Sequence, residues 1–288
     1  MSGSTTAEPQ EKSFLTIILP ANNEAAWLRP CLEAVLGQDA RAWPLHIIVS
    51  ANACTDGTED IARDMIPDFE ARGGQLSVIS SSEPGKLGAL NRADAQVEGQ
   101  GIRAYLDADV ICDPGLFAQI RAALDTNHPL YATGTLAVAP ARSAITRAYA
   151  GIWTRLPFVE AGAVGAGLFA VNAAGRARWG DFPDIISDET FVRLNFAPED
   201  RIEVPARYHW PMVEGFRRLV KVRRRQDAGV EELQRLHPQL FANEGKAPLT
   251  KAHLLRLAVT RPFGFLAYIA VHLTVRTRPD EGSWTRGR

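Results

Sequence analysis

The sequence predicts an α/β protein with a mainly parallel central sheet, flanking helices and a helical C-terminal appendage. In the first half of the chain, short apolar segments alternate four times with segments of helical periodicity. This alternation is typical of βαβ units with right-handed crossovers, which build parallel sheets. Polar clusters directly follow three of the predicted strands. The 288 residues are 46% hydrophobic and 23% charged, which is typical of a globular chain with a sizeable core.

The predicted strands of the first half are short apolar runs that end at turn residues. They span residues 14–19 (FLTIIL), 45–49 (LHIIV), 76–80 (LSVIS) and 102–106 (IRAYL). Runs that are apolar at nearly every position are typical of strands covered on both faces. We expect Pro20 to end the first of them, because proline has no N–H to donate to a neighbouring strand.

Helices are predicted between and after these strands, at residues 24–36, 59–72, 86–97 and 114–125. The first has apolar residues at helical spacing and closes at Gly37. The second half of the chain is less regular. There we predict strands at residues 131–139 and 201–207, a glycine-rich loop entering a strand at 162–171, and helices at 188–196 and 219–236.

Net charge and cysteine content exclude several classes of protein. The net charge of -1 provides no general attraction to nucleic acid, and the basic segment at 223–225 has few aromatic neighbours. The three cysteines form no CxxC pair, which argues against a disulfide framework or a zinc site and favours a reducing compartment. Residues 1–12 are polar, without the apolar core of a signal peptide, and are expected to be disordered.

The apolar segment at residues 263–275 (FGFLAYIAVHLTV) has two interpretations. It is shorter than the roughly 20 residues that a bilayer-spanning helix needs. It is either a packed C-terminal helix or an interfacial helix flanked by Arg261, Arg276 and Arg278.

A candidate metal site directly follows the fourth predicted strand, at Asp107 and Asp109. Ligands bind at the carboxyl ends of parallel strands, so these side chains are expected at the functional edge of the sheet. Two close carboxylates repel each other unless a cation lies between them, and Mg²⁺ or Mn²⁺ prefers such oxygen ligands. The alternative is a solvated turn in which Asp113 caps the next helix.

The other polar clusters are candidates for binding a nucleotide. Asn22 and Glu24 follow the first strand, and Asn52 and Asp56 follow the second. Their amides and carboxylates either recognise a nucleoside or cap the helices that they precede.

Charged residues further along the chain complete the candidate set. Lys86 begins a helix, where its charge opposes the helix dipole unless a diphosphate binds there; Arg92 is a weaker candidate for the same task. The pair Asp188 and Glu189 either complements a helix dipole or contains a general base for an acceptor hydroxyl. The segment 223–225 is a solvated helix face or includes an arginine that neutralises phosphate charge.

In this order, these segments resemble the family 2 glycosyltransferases, which have a GT-A type fold. Residues 18–24 (ILPANNE) resemble the opening strand and nucleotide loop, 49–58 (VSANACTDGT) the second element, and 85–91 (GKLGALN) the G-K-x-x-A-L-N segment. Asp107 and Asp109 match the metal-binding DxD motif. The remaining matches are the glycine-bearing segment at 165–171, the acidic pair at 188–189 and the basic segment at 223–229, so the resemblance covers residues 14–229.

The resemblance implies an inverting enzyme that moves a sugar from a nucleotide-sugar, usually UDP-linked, to a hydroxyl of a glycan or lipid-linked acceptor. Such enzymes commonly serve cell-surface or exopolysaccharide synthesis, here at the cytoplasmic face of the cell membrane. The implied nucleotide-sugar-binding residues are Pro20, Asn22, Glu24, Asn52, Asp56, Lys86, Asp107 and Arg225. Asp107 and Asp109 would hold Mg²⁺ or Mn²⁺, and Asp188 or Glu189 would be the base.

The same resemblance suggests a division of the chain. A glycosyltransferase domain would occupy residues 13–235, with a nucleotide-sugar-binding half at 13–112 and an acceptor-binding half at 113–235. Residues 236–288 would form the C-terminal helical appendage, with a peripheral membrane contact as one possible role.

Two departures from the family pattern and two competing functions stay open. The acidic pair reads Asp-Glu where Glu-Asp is common, so either residue could be the base. Gln226 follows the arginines where processive members carry Gln-x-x-Arg-Trp, which favours transfer of a single sugar. A sugar-phosphate nucleotidyltransferase would need a Gly-rich, basic loop after the first strand, where this chain has Ala21 and Asn22. A catalytically silent nucleotide-sugar-binding subunit is the second alternative.

Overall fold

An eight-stranded sheet organises the described part of the molecule. The structure is a computed structural model that describes residues 15–97, 99, 101–160 and 162–277. The N-terminal segment 1–12, predicted to be disordered, and Arg278 lie outside the described residues. The strands are β1 (Leu15–Ala21), β2 (Leu45–Asn52), β3 (Gln75–Ser81), β4 (Ile102–Leu106), β5 (Ile111–Cys112), β6 (Tyr131–Val138), β7 (Leu168–Val171) and β8 (Arg201–Trp210).

The order of the strands across the sheet is β3-β2-β1-β4-β7-β6-β8-β5. The first four strands are parallel, as the alternation of strands and helices predicts. Strand β7 then runs antiparallel to both β4 and β6, while β6 and β8 are parallel and β5 is antiparallel to β8. The α/β class is therefore confirmed, with a parallel half that carries the predicted polar edge and a mixed half beside it.

Twelve helices cover the sheet and its C-terminal side within the described residues. They are α1 (Leu28–Leu36), α2 (Thr58–Asp64), α3 (Ile66–Ala71), α4 (Lys86–Asp94), α5 (Leu116–Leu124), α6 (Ala144–Trp153), α7 (Pro157–Glu160), α8 (Ala173–Arg176), α9 (Asp188–Leu194), α10 (Phe216–Leu236), α11 (Lys251–Thr260) and α12 (Pro262–Thr277). Alternate residues of β1 enter two different cores, Ile17 with α1, α3 and α5, and Ile18 with α4 and α9.

Several predicted boundaries are wrong for identifiable reasons. Strand β1 continues through Pro20 to Ala21 beside β2. Its pairing with β4 ends at Ile18, so no partner on the β4 side requires the N–H that Pro20 lacks. The helix predicted at 59–72 is two helices, with Pro67 in the first turn of the second. The helix predicted at 24–36 begins only at Leu28, since residues 25–27 form a turn.

The C-terminal appendage is present and packs on the sheet domain through α6 and α10. Gly264 of α12 approaches α6 so closely that a Cβ there would lie 2.8 Å from the carbonyl oxygen of Ala148. Tyr149 and Tyr268 stack across the same contact, with ring centroids 5.5 Å apart. Neither α6 nor α11 was predicted. None of the described helices combines the length and apolarity needed to cross a bilayer.

Helix α4, which begins at Lys86, is locked in place by a buried ion-pair network at its other end. Asp94 accepts hydrogen bonds from Arg103 on β4 at 2.7 Å and from Arg176 of α8 at 2.8 Å. The Tyr105 hydroxyl donates to the same carboxylate at 3.0 Å. Because these groups are largely removed from water, the network fixes the helix against the sheet only while it stays complete.

Replacing Asp94 with Ala should destabilise the protein by about 3 kcal/mol, because two arginines lose their buried partner. The carboxylate is 5% exposed, whereas Asp64 forms a surface pair with Arg29 at 3.8 Å and is 70% exposed. Asp64→Ala is therefore the matched control and should change the free energy of unfolding by less than about 1 kcal/mol. Equal losses for the two variants in chemical denaturation would contradict this account of α4.

Candidate active site

The ends of β1 and β2 are tied together by two asparagine side chains. The Asn22 amide donates to the carbonyl oxygen of Ala53 at 3.0 Å and to that of Asn52. Asn52, which is buried, donates to the carbonyl oxygen of Ala21 at 2.8 Å and accepts from the backbone N–H of Gly85 at 3.1 Å. The polar residues after β1 and β2 therefore lie together at one edge of the sheet, as predicted. The buried amide of Asn52 also fixes the backbone directly before Lys86.

A second set of contacts joins the same two loops. Asp56 accepts from the backbone N–H groups of Ala25, at 3.2 Å, and Thr58, at 3.0 Å. The Thr58 hydroxyl in turn accepts from the backbone N–H of Glu24 at 2.7 Å. Slight burial raises the pKa of Asp56, but these hydrogen bonds lower it further, so the net pKa lies below its ordinary value. Asp56 therefore holds the start of α2 against the loop after β1.

Lys86 lies at the centre of a cluster of acidic side chains. Its Nζ is 3.0 Å from Oδ1 of Asp107, 3.0 Å from Oδ2 of Asp188 and 3.8 Å from Oε1 of Glu189. The four side chains come from the start of α4, the end of β4 and the start of α9. They line a small recess at the carboxyl edge of the parallel strands together with Pro20, another of the residues predicted to bind the nucleotide-sugar.

A glycine in the loop before β7 connects two of these acids. Gly167 accepts from the backbone N–H of Asp107 at 2.9 Å and donates its own N–H to Oε1 of Glu189 at 2.8 Å. Its φ of +75° favours glycine, and a Cβ here would lie 2.7 Å from Cδ1 of Trp210 and 2.9 Å from Cγ2 of Val110. This loop therefore sets the separation between the end of β4 and the start of α9.

Burial and the charge of neighbouring groups both shift the pKa values of Glu189 and Lys86. Burial raises the pKa of Glu189, the nearby Lys86 lowers it, and Asp188 and Asp107 raise it again, with a net value of about 7. Burial lowers the pKa of Lys86, but the three carboxylates raise it to well above its ordinary value. At neutral pH the lysine is therefore charged, while Glu189 exchanges its proton within the physiological range.

The candidate metal ligands lie on either side of a buried alanine. Asp107 is half-buried and contacts Lys86, and Asp109 is buried within the turn that follows β4. Among the described residues, no three His, Cys, Asp or Glu side chains are arranged to hold an ion by themselves. A pair of carboxylates still suits Mg²⁺ or Mn²⁺, because such ions commonly take few protein ligands and complete their shell with water and phosphate oxygens.

Helix α10 supports the acidic pair from behind, a contact that sequence reasoning missed. A Cβ at Gly229 would lie 2.3 Å from Oγ of Ser187, directly before Asp188. Glu232, one turn later, accepts from the backbone N–H of Ile186 at 2.8 Å. The signal in the sequence is a glycine inside a 21-residue helix, since glycine disfavours that position unless another backbone must approach.

The two predicted arginines differ in position. Arg225 is exposed on α10 and lies four residues before Gly229. Residues at this spacing lie on the same side of a helix. Arg92 is placed on α4 with its guanidinium 3.4 Å from Glu83, an exposed acid outside the cluster. Neither arginine lines the recess at Lys86, so the phosphate-binding role of Arg225 stays a prediction.

The sequence profile described as glycosyl transferase family 2 matches residues 16–174, more than half of the chain. The matched region includes Lys86, Asp107 and Asp109 and ends before Asp188 and Glu189. Among curated proteins, glycosyltransferase AglE of Haloferax volcanii is 33% identical over 102 residues. That match covers 35% of this chain and 31% of AglE, so the chain spans about a third of the length of this relative.

Solved structures show the same fold. The mannosyltransferase PcManGT from Pyrobaculum calidifontis, solved with GDP-Man and Mn²⁺, superimposes with a TM-score of 0.60 and 19% identity over 94% of this chain and 89% of that one. Glucosyl-3-phosphoglycerate synthase from Mycobacterium tuberculosis, solved with Mn²⁺, UDP and glucosyl-3-phosphoglycerate, gives 0.53 and 17% over 85% and 88%. These likenesses confirm the GT-A type architecture.

Proposed function

The chain belongs to glycosyl transferase family 2, and we propose that it transfers one sugar from a nucleotide-sugar, UDP-linked, to an acceptor hydroxyl with inversion at the anomeric carbon. The observation that carries this proposal is the Lys86 cluster, in which one ammonium faces three carboxylates from distant parts of the chain. A cationic group and an acid able to act as a base are the parts needed to hold a diphosphate and deprotonate a hydroxyl.

The charge of the cluster supports a divalent ion in the reaction. With all groups ionised, Lys86 leaves an excess of two negative charges on its three acidic neighbours. Such an excess attracts a cation, and Asp107 and Asp109 provide the oxygen ligands. When bound there, Mg²⁺ or Mn²⁺ would neutralise charge on the departing diphosphate. Both structural relatives were solved with Mn²⁺, although their sequence identity is below 20%.

We propose Glu189 as the general base and Asp188 as the residue that positions Lys86. The Glu189 side chain is 30% exposed and Asp188 only 10%, so an acceptor reaches Glu189 more easily. A pKa of about 7 also suits a base at neutral pH, because the unprotonated form is well populated and still accepts a proton readily. The bond from the Gly167 N–H fixes Oε1 of Glu189, and in this proposal Oε2 accepts the proton of the acceptor hydroxyl.

The remaining site residues receive roles around this centre. Lys86 would lie near the diphosphate, Arg225 would neutralise part of its charge, and Asn22 and Glu24 would contact the nucleoside at the end of β1. Asn52 and Asp56 would keep the nucleotide loops in shape through the contacts described above. In this proposal residues 13–112 bind the donor and 113–235 bind the acceptor.

The acceptor is proposed to be a glycan or lipid-linked hydroxyl, used at the cytoplasmic face of a membrane in cell-surface or exopolysaccharide synthesis. The support is the C-terminal helical appendage, whose exposed apolar residues suit work next to lipid. Transfer of one sugar per encounter fits Gln226, which directly follows the arginines at 223–225 where processive members carry a tryptophan.

Glu189→Gln should reduce transfer by about 10²–10⁴-fold and remove the pH dependence near 7. In the unmodified protein kcat/KM should rise as the pH increases through about 7, because a base with a raised pKa is protonated, and therefore inactive, below it. Asp188→Asn is the matched variant and should keep a rise, displaced to lower pH because Asp188 no longer raises the pKa of Glu189. If the rise instead disappears only in Asp188→Asn, Asp188 is the base.

Asp109→Asn should abolish the Mn²⁺-dependent part of the thermal stabilisation that UDP gives, because a ligand raises Tm only as far as it binds the folded state. Asp113→Asn is the matched control, since this nearby carboxylate is half-exposed and pairs with His209 at 3.1 Å. Equal Mn²⁺-dependent shifts in all three proteins would contradict the metal role, as would full turnover in metal-free buffer.

Two further assays separate the competing functions. Release of pyrophosphate from a nucleoside triphosphate would identify a nucleotidyltransferase. Binding of UDP with Mn²⁺ but no hydrolysis of any nucleotide-sugar would identify a silent binding subunit.

A further inference from the structure

Helices α11 and α12 present an apolar face away from the protein. Leu257, Gly264 and Val271 are buried against the molecule, and they mark the inner faces of the two helices. Opposite them, large apolar side chains are exposed, with Val259 at 72% and Phe263 at 83%. The outer apolar face comprises Leu255, Val259, Phe263, Leu266 and Leu273.

Helical geometry places these residues on one side of each helix. In α12, residues 263, 266, 270 and 273 follow the spacing of a single helical stripe, and all are exposed. In α11, Leu255 and Val259 are four residues apart and therefore adjacent on the surface. Soluble proteins rarely expose large apolar patches unless a partner covers them.

The charged side chains that α11 and α12 themselves carry all have one sign. Residues 245–277 contain no aspartate or glutamate. Lys251, Arg256, Arg261 and Arg276 lie in the same segment and are exposed. Apolar side chains bordered by exposed basic ones are the pattern by which a helix lies in the interface of a membrane that contains anionic lipids.

We propose that the outer face of α11 and α12 docks the protein on an anionic membrane surface, with both helices lying in the plane of the interface. A spanning arrangement does not fit, because the 16 residues of α12 extend only about 24 Å and the hydrocarbon core is about 30 Å thick. The inner faces also stay committed to the protein through the close contact at Gly264 and the bond from Arg224 to the carbonyl oxygen of Thr274.

The inference deepens the proposed function by naming its membrane partner. The reason for docking rests on the proposed function, but the docking itself does not. Docking is measured without donor or acceptor, by flotation of the full chain with vesicles of phosphatidylglycerol and phosphatidylcholine. We expect binding that weakens as salt increases and is at least about tenfold lower on pure phosphatidylcholine. Loss of transferase activity with retained vesicle binding would reject the proposed function alone.

Two sets of variants test which side chains carry the binding. The double variant Phe263→Ser, Leu266→Ser should lower vesicle affinity at least about tenfold, because it removes two side chains that enter the interface. Leu236→Ser is the control, since Leu236 is an exposed apolar residue on another helix, at the end of α10 and about 18 Å along that helix from Arg224. Arg256→Gln with Arg261→Gln should weaken binding to anionic vesicles, whereas Arg41→Gln, an exposed arginine elsewhere, should not.

The variants should keep the circular dichroism spectrum of the unmodified protein and its rate of transfer to a soluble acceptor. Both results would show that the variants remain folded. The proposal is overturned if the unmodified chain does not float with anionic vesicles, or if the serine double variant floats equally well. It is also overturned if sedimentation shows a dimer that the double variant abolishes without any vesicle binding, because a second copy would then cover the face.

Discussion

The site depends on one interaction, the contact of a single ammonium with three carboxylates. Without Lys86, the side chains of Asp107, Asp188 and Glu189 would bring three negative charges together in a partly desolvated recess. Their mutual repulsion would push them apart or keep them protonated. The lysine therefore allows acids from two distant segments to converge, and the excess charge that it leaves unneutralised suits a divalent ion and its diphosphate.

The scaffold holds this contact from three directions. Helix α4 is fixed to β4 and α8 through Asp94, and its Asn91 exchanges two hydrogen bonds with the backbone of Phe182. The backbone of Gly167 spans the gap between Asp107 and Glu189. Helix α10 fixes the acidic pair at Gly229. The rigid elements thus position the charged groups before any substrate arrives, as electrostatic stabilisation of a leaving group requires.

The sequence was most informative where local chemistry decides the structure. Apolar runs followed by polar residues predicted the strand ends and their shared edge, because parallel strands necessarily bring their carboxyl ends together. Long-range contacts were not predictable in this way. Examples are the hydrogen bond between Asn52 and Gly85 and the close approach of Gly229 to Ser187. Both depend on how segments far apart in the chain pack against each other. Helix α11 was not predicted, because its apolar residues Leu255 and Val259 face outwards and do not form the buried apolar stripe of an ordinary surface helix.

The central claim concerns the electrostatic coupling of Lys86 to its acidic neighbours, and it can be tested by following the Glu189 carboxyl carbon through a pH titration with NMR. In the ligand-free protein the pKa of Glu189 should be about 7. Replacing Lys86 with Met should raise it further, because the ammonium that favours the carboxylate form is removed. A pKa near the ordinary 4.5 that does not change with the lysine would contradict the account.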